Sequence, residues 1–103
     1  MIIREWRGRA PSSRASAYPD HFNNTVLPHL KTLPGFSGAQ LCCRSKDDLL
    51  EFVVLTRWES IDAVRAFAGA DYKQAVVEPA AVAALTDYDL SVQHYDVLTD
   101  VSL

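Results

Sequence analysis

Histidine is the side chain poised to move a proton near neutral pH, and the chain has three: His21, His29 and His94. His94 is the leading candidate for a general base. It lies in a late stretch of alternating residues and shares a face with Val92 and Asp96. A hydrogen-bonded histidine at a sheet or dimer surface is the plainer reading of it. His21 lies one helical turn from both Tyr18 and Thr25, so Tyr18 and His21 can overhang a pocket together as substrate-binding residues. His29, next to Pro28, is expected at the surface. Tyr72 follows Gly69-Ala70-Asp71, where a helix breaks, and its phenol can orient an aromatic substrate or plug the end of the helix layer. Trp6 brings a flat ring and an indole N–H donor to a pocket, or packs in a core or interface. Arg4 and Arg57 can hold a substrate carboxylate or enolate, or pair with Glu5, Glu51 or Glu59.

Other chemistries lack their residues. Cys42 and Cys43 are adjacent in a predicted strand, so their side chains point to opposite faces and do not bridge. They are expected to be packing residues, and thiols without a disulfide framework suit a reducing cytoplasm. No His or Cys cluster has the spacing of a metal site, and no flavin motif or phosphate-cradling loop is present. Neither a metal nor a cofactor is expected. The formal net charge of -3 argues against binding to nucleic acid or an anionic membrane. A local basic cluster, Arg4, Arg7, Arg9 and Arg14, either favours an anionic substrate or consists of ordinary strand-edge and loop arginines. The first residues carry no long apolar run, so no signal peptide or membrane span is expected.

The elements that position these residues follow from periodicity. The length of 103 residues suits one domain spanning 1–103, and 49% hydrophobic residues suffice for a core. Met1–Arg9 alternates as a strand, with Ile2, Arg4, Trp6 and Gly8 on one face. Ser13–Thr32 carries apolar residues at helical spacing, but Pro19 and Pro28 predict a bent or interrupted helix. Phe36–Arg44 is the second strand, Ser45–Asp48 a polar turn, and Leu49–Trp58 a third strand, with Trp58 packing strand against helix. The third strand is apolar almost throughout, which requires cover on both faces. Ser60 is a helix cap for Ile61–Ala68, and Gly69 ends that helix. Asp71–Val77 is read as another helical turn, Pro79–Leu85 as a short helix and Tyr88–Leu98 as the fourth strand. The order βαββαβ predicts an α+β ferredoxin-like fold, a four-stranded antiparallel sheet with helices on one face. The bare face then needs a partner. A second copy is the economical one, giving a homodimer that closes into an α/β barrel.

These segments resemble the antibiotic biosynthesis monooxygenase family, whose members are dimeric α/β barrels. The matching pieces are Ile3-Arg4-Glu5-Trp6-Arg7-Gly8-Arg9, Leu33-Pro34-Gly35-Phe36, Glu51 through Ser60, Ala63 through Gly69, and Val92 through Val97. The resemblance implies a fold more firmly than a reaction. Quinone-forming members oxidise polycyclic phenols or anthrones with O2 and neither metal nor flavin, which needs a dry aromatic pocket and groups that deprotonate the substrate. On this basis Trp6, at the pocket-facing position of the first strand, and His94 are the catalytic candidates, with Tyr72, His21 and Tyr18 binding the substrate. Haem-degrading members carry Asn in the first strand, Trp in the second helix and His just after it. The corresponding residues here are Trp6, Phe67 and Val76 or Val77. All three depart, and haem degradation is not expected. The resemblance thus implies a cofactor-independent monooxygenase for an aromatic or polyketide-like small molecule. A non-catalytic small-molecule-binding or stress-related dimer, or a structural partner domain, is the alternative.

Overall fold

Alternation along the first strand sorts side chains to two faces, and that strand's place in the sheet sets the layout. The computed structural model describes residues 1–103. The chain runs β1 (Ile2–Pro11), α1 (Ala17–His21), α2 (Leu27–Leu30), β2 (Phe36–Lys46), β3 (Leu49–Trp58), α3 (Ile61–Ala68), α4 (Pro79–Ala84), β4 (Asp87–Tyr88) and β5 (Gln93–Asp96). All pairings are antiparallel. β3 lies between β2 and β1, and β1 carries β4 and β5 on its other side. This is the ferredoxin-like α+β arrangement.

The helices pack on one face. Tyr18, Phe22, Ala81 and Ala84 join Ala10, Phe52 and Val54 in one apolar cluster, and Leu30 and Val64 join Trp58 in a second. Trp58 is fully buried, stacked on Phe67 and edge-on to Phe36, with its indole N–H donated to Thr56 Oγ1 at 2.8 Å. This is the strand-to-helix packing expected of it. Ser60 Oγ accepts from Ala63 N at 3.2 Å and starts α3. Gly69 ends α3 at φ +89, a conformation costly for any residue with a Cβ.

The two prolines interrupt the first helix as expected. Pro19 sits in the first turn of α1, where a missing N–H costs little. Pro28 lies past the middle. Its ring crowds the carbonyl four residues back, and the preceding Phe22–Val26 widens into π-type turns before α2 continues.

Three expectations are corrected. The last strand is not continuous over Tyr88–Leu98. Asp89 N still donates to Arg7 O, but at Leu90–Val92 the chain leaves β1 and bonds the segment after α3 instead, with Ala75 N donating to Leu90 O and Val92 N to Lys73 O. The sheet therefore has five strands rather than four. Asp71–Val77 makes one hydrogen-bonded turn, with Gln74 N donating to Asp71 O, and then runs on without helical structure. Residues 69–78 form a strap beside Leu90–Val92, held by those two bonds and by Arg4 of β1, which donates to the carbonyls of Tyr72 and Gln74. Cys42 and Cys43 are free thiols and exposed, on the edge strand β2, whose residues from Cys42 to Lys46 are all exposed. No helix is long and apolar enough to cross a membrane.

The outward face of the sheet is charged at one end. Glu51 is buried there within reach of Arg44 at 2.8 Å, Arg7 at 3.2 Å, Arg9 at 3.5 Å and Lys46 at 4.0 Å. Burial works against the charge on Glu51, but the hydrogen bond and charge of Arg44, with Lys46 and Arg7, outweigh it and hold the carboxyl below its usual range. The folded carboxyl thus ionises at lower pH than the unfolded one. The cluster stabilises the fold above about pH 4, and this is lost as pH falls through the folded value. Glu51→Gln is expected to cost about 2 kcal/mol at pH 7, with a smaller difference from wild type at pH 3. Urea midpoints at both pH values check this, and an unchanged difference contradicts it.

Candidate functional site

The inward-facing residues of β1 and β3 and the helical layer flank a partly open cavity of about 80 Å³. Arg4 and Trp6 line it from β1, and Val54 and Thr56 from β3. Tyr18 and His21 come from α1, and His29 and Leu30 from α2. The strap closes it with Val76, Val77 and Glu78. The lining is mostly apolar and aromatic, as in sites for small organic molecules.

Three of the five candidate residues meet here. Trp6 and Tyr18 lie with ring centroids 5.7 Å apart, and Tyr18 and His21 at 6.2 Å. Helical spacing of three puts Tyr18 and His21 on one side of α1. Tyr18 is buried against Phe52 as well, and burial, with the charge of Glu78, raises its phenol well above the ordinary value. The Trp6 indole N–H is already donated to the backbone oxygen of Asp89 at 2.8 Å, so Trp6 offers the cavity its ring rather than a free donor. His21 Nε2 is buried without any hydrogen-bond partner. Buried polar atoms are nearly always paired, so His21, which lines the cavity, keeps a nitrogen with capacity for one more partner.

His94 and Tyr72 lie elsewhere. They line a separate surface hollow with Lys73 and Gln93, with their rings edge-on at 5.3 Å. His94 Nε2 is 3.1 Å from Arg4 Nη1. A guanidinium only donates, so this nitrogen accepts and the imidazole proton is on Nδ1. Burial first, then the charges of Arg4 and Lys73, lower the His94 pKa. The lone pair a base would use is thus engaged by Arg4. Trp6 and His94, grouped by the sequence as catalytic candidates, do not share a space.

Arg4 is the residue whose place the sequence left open. It pairs with none of Glu5, Glu51 or Glu59, and instead bonds the carbonyls of Tyr72 at 2.5 Å and Gln74 at 3.0 Å. The signal was its inward phase, shared with Trp6 and Gly8. Gly8 keeps that face open, since a Cβ there would come within 2.9 Å of both Leu85 Cδ1 and Trp6 Cη2. No three His, Cys, Asp or Glu side chains cluster to hold a metal ion.

A ferredoxin-like domain with an aromatic cavity between sheet and helices defines a class of small α+β proteins. Within it, the sequence matches the antibiotic biosynthesis monooxygenase family model over residues 1–79, and the chain belongs to that family. None of the curated proteins matches significantly. Among solved structures, the heme-degrader MhuD of Mycobacterium tuberculosis, with two hemes bound in its active site, is 22% identical. The match covers 99% of this chain and 100% of that one at a TM-score of 0.67. The ActVA-Orf6 monooxygenase of Streptomyces coelicolor, in complex with nanaomycin D, is 17% identical over 99% of this chain and 89% of that one, with a TM-score of 0.58. A Deinococcus radiodurans protein assigned as an antibiotic biosynthesis monooxygenase is 14% identical over 100% and 98%, with a TM-score of 0.67. At these identities the likeness is one of fold.

The lowered His94 pKa has a consequence for stability. The unfolded chain takes up the His94 proton first, near pH 6.5, so the fold weakens as pH drops below that value. His94→Gln keeps an acceptor near Arg4 without titrating. Its urea midpoint is expected to fall less than that of wild type between pH 7.5 and pH 5.5, and parallel losses would contradict the assignment.

Proposed function

We propose that this chain is a cofactor-independent monooxygenase that uses O2 to oxidise an aromatic or polyketide-like small molecule in the cavity between sheet and helices. The observation that carries this reading is the orphan His21 Nε2 at the wall of an aromatic cavity. Trp6 and Tyr18 supply flat surfaces for a ring, and His21 supplies a base. In the reaction His21 takes a proton from a phenol, or from the acidic carbon of an anthrone. The anion passes one electron to O2, and the resulting radical and superoxide combine. The proton returns from His21 to give a hydroperoxide, and loss of water leaves the quinone. One oxygen atom stays in the product and the other departs as water.

The cavity of about 80 Å³ is smaller than the roughly 150 Å³ that holds a benzene. A multi-ring substrate therefore enters by displacing a wall. The strap, without regular secondary structure and beginning at Gly69, is the wall able to yield. Haem is larger still, and Trp6, Phe67 and Val76 or Val77 stand where the haem-degrading pattern has other residues. In this reading residues 1–103 act as one domain in the cytoplasm. They pair as a homodimer through the outward sheet face, where Ile3, Val53 and Leu55 stay half-buried and Tyr95 exposed.

Oxygen uptake with a panel from single-ring dihydroxybenzenes to tricyclic anthrones tests the activity. Uptake is expected above the buffer rate, with His21→Ala lowering kcat at least about 100-fold and His94→Ala doing less. No uptake from any substrate, with binding retained, favours a non-catalytic binder. A Soret band on adding haemin, followed by its loss under turnover, favours haem degradation. Sedimentation equilibrium is expected to give the dimer mass at micromolar concentration, and a stable monomer refutes the pairing.

A further inference from the structure

The strap that lines the cavity is held from two sides. Backbone bonds tie it to the chain before β5, Ala75 N to Leu90 O and Val92 N to Lys73 O. Arg4 of β1 ties it to the sheet, donating from Nη1 to the Tyr72 carbonyl and from Nη2 to the Gln74 carbonyl. The same Nη1 donates to His94 Nε2 at 3.1 Å, and the Tyr72 ring stands edge-on to the imidazole at 5.3 Å. We propose that this junction is an acid-sensitive latch: neutral His94 holds Arg4 against the strap, and protonated His94 frees the strap and opens the cavity. The latch depends on the strap's contacts and needs no reaction in the cavity.

Nε2 accepts from a guanidinium only while it carries no proton. Protonation sets N–H against N–H and a cation beside a cation at 3.1 Å. Arg4's other partners are two carbonyls, so no carboxylate is there to balance the added charge. The ionisable groups around His94 are Arg4 on β1, Tyr72 and Lys73 on the strap, Arg65 of α3 over the Tyr72 ring at 5.2 Å, and the exposed Asp96 two residues along β5. His21, His29, Tyr18 and Glu78 stand around the cavity that Arg4 also lines. Arg4 is 4% exposed, and the pairing of β1 with β3 and β5 fixes its backbone and that of His94. The strap has no regular secondary structure and begins at Gly69, so it is the part that gives way. Its far end carries Val76, Val77 and Glu78 of the cavity lining. With the strap released, His94 ionises near its ordinary value of about 6.5, above the lowered value of the latched form. The released form therefore takes up the proton first. Release is favoured as pH falls below that value, and the effect levels off once latched His94 also protonates.

Amide hydrogen exchange of the full chain, followed by NMR and corrected for the intrinsic effect of pH, tests the latch. Between pH 7.5 and pH 5.0 the Ala75 and Val92 amides are expected to lose at least about five-fold in protection relative to amides of the β1–β3 ladder. His94→Gln keeps an acceptor beside Arg4 without titrating, and its protection is expected to stay level. His21→Gln and His29→Gln are expected to retain the loss. If His94→Gln fails a circular-dichroism check for folding, wild type decides alone: the Val76 and Val77 methyl resonances are expected to shift with the midpoint of the His94 imidazole. Protection that stays level in wild type, or that falls equally in folded His94→Gln, overturns the latch. So does a loss shared equally by the β1–β3 ladder, a response abolished by His21→Gln or His29→Gln, or methyl midpoints that do not follow His94. None of these readouts needs turnover, so they stand or fall separately from the oxygen-uptake panel.

Discussion

A guanidinium taken out of water has to find hydrogen-bond acceptors nearby, and much of this molecule is arranged around the acceptors that Arg4 finds. They are carbonyls of the strap, not carboxylates. Meeting them ties residues 69–78 to β1, and Val76 and Val77 of that segment line the cavity. The same guanidinium fixes His94 through Nε2, so it ties β1, the strap and β5 together. Arg4 and the Val76, Val77 and Glu78 end of this segment both line the cavity.

Strand geometry decides which charges are inside. Successive residues of β1 face opposite ways, so Arg4 and Trp6 face the helices while Arg7 and Arg9 face outward to Glu51. One short run of arginines thereby serves two purposes. The outward ones make a dense ion cluster, and the inward one polarises a largely apolar space. Arg9 also bonds Asp87 and Asp89, anchoring β4 where the chain leaves β1.

The helical layer presents the remaining cavity residues through its irregularity. Pro19 and Pro28 prevent one long regular helix, and the π-type turns between them lie immediately after His21. Tyr18 is thus packed among Trp6, Phe22 and Phe52, while His21 Nε2 is left without a partner. An irregular helix next to a site is a common way to present a side chain that regular packing would satisfy.

By itself the sequence determined what depends on near neighbours. The alternation of β1, the proline interruption of the first helix, the Ser60 cap, the Gly69 stop and the βαββαβ order are all local patterns, and each is present in the structure. The inward phase of Trp6 and the shared helix side of Tyr18 and His21 were legible for the same reason. What only the tertiary structure decided is which distant residues meet. Leu90–Val92 alternates as well as its neighbours do, yet the strap competes for its backbone groups and wins. Arg4 has acids close in sequence, yet its inward phase brings it to carbonyls 68 and 70 residues away. His94 shares a face with Trp6 in the sheet, but Arg4 takes up its lone pair and Tyr72 covers its ring. Periodicity tells which way a side chain points, whereas a site depends on what long-range packing puts in front of it.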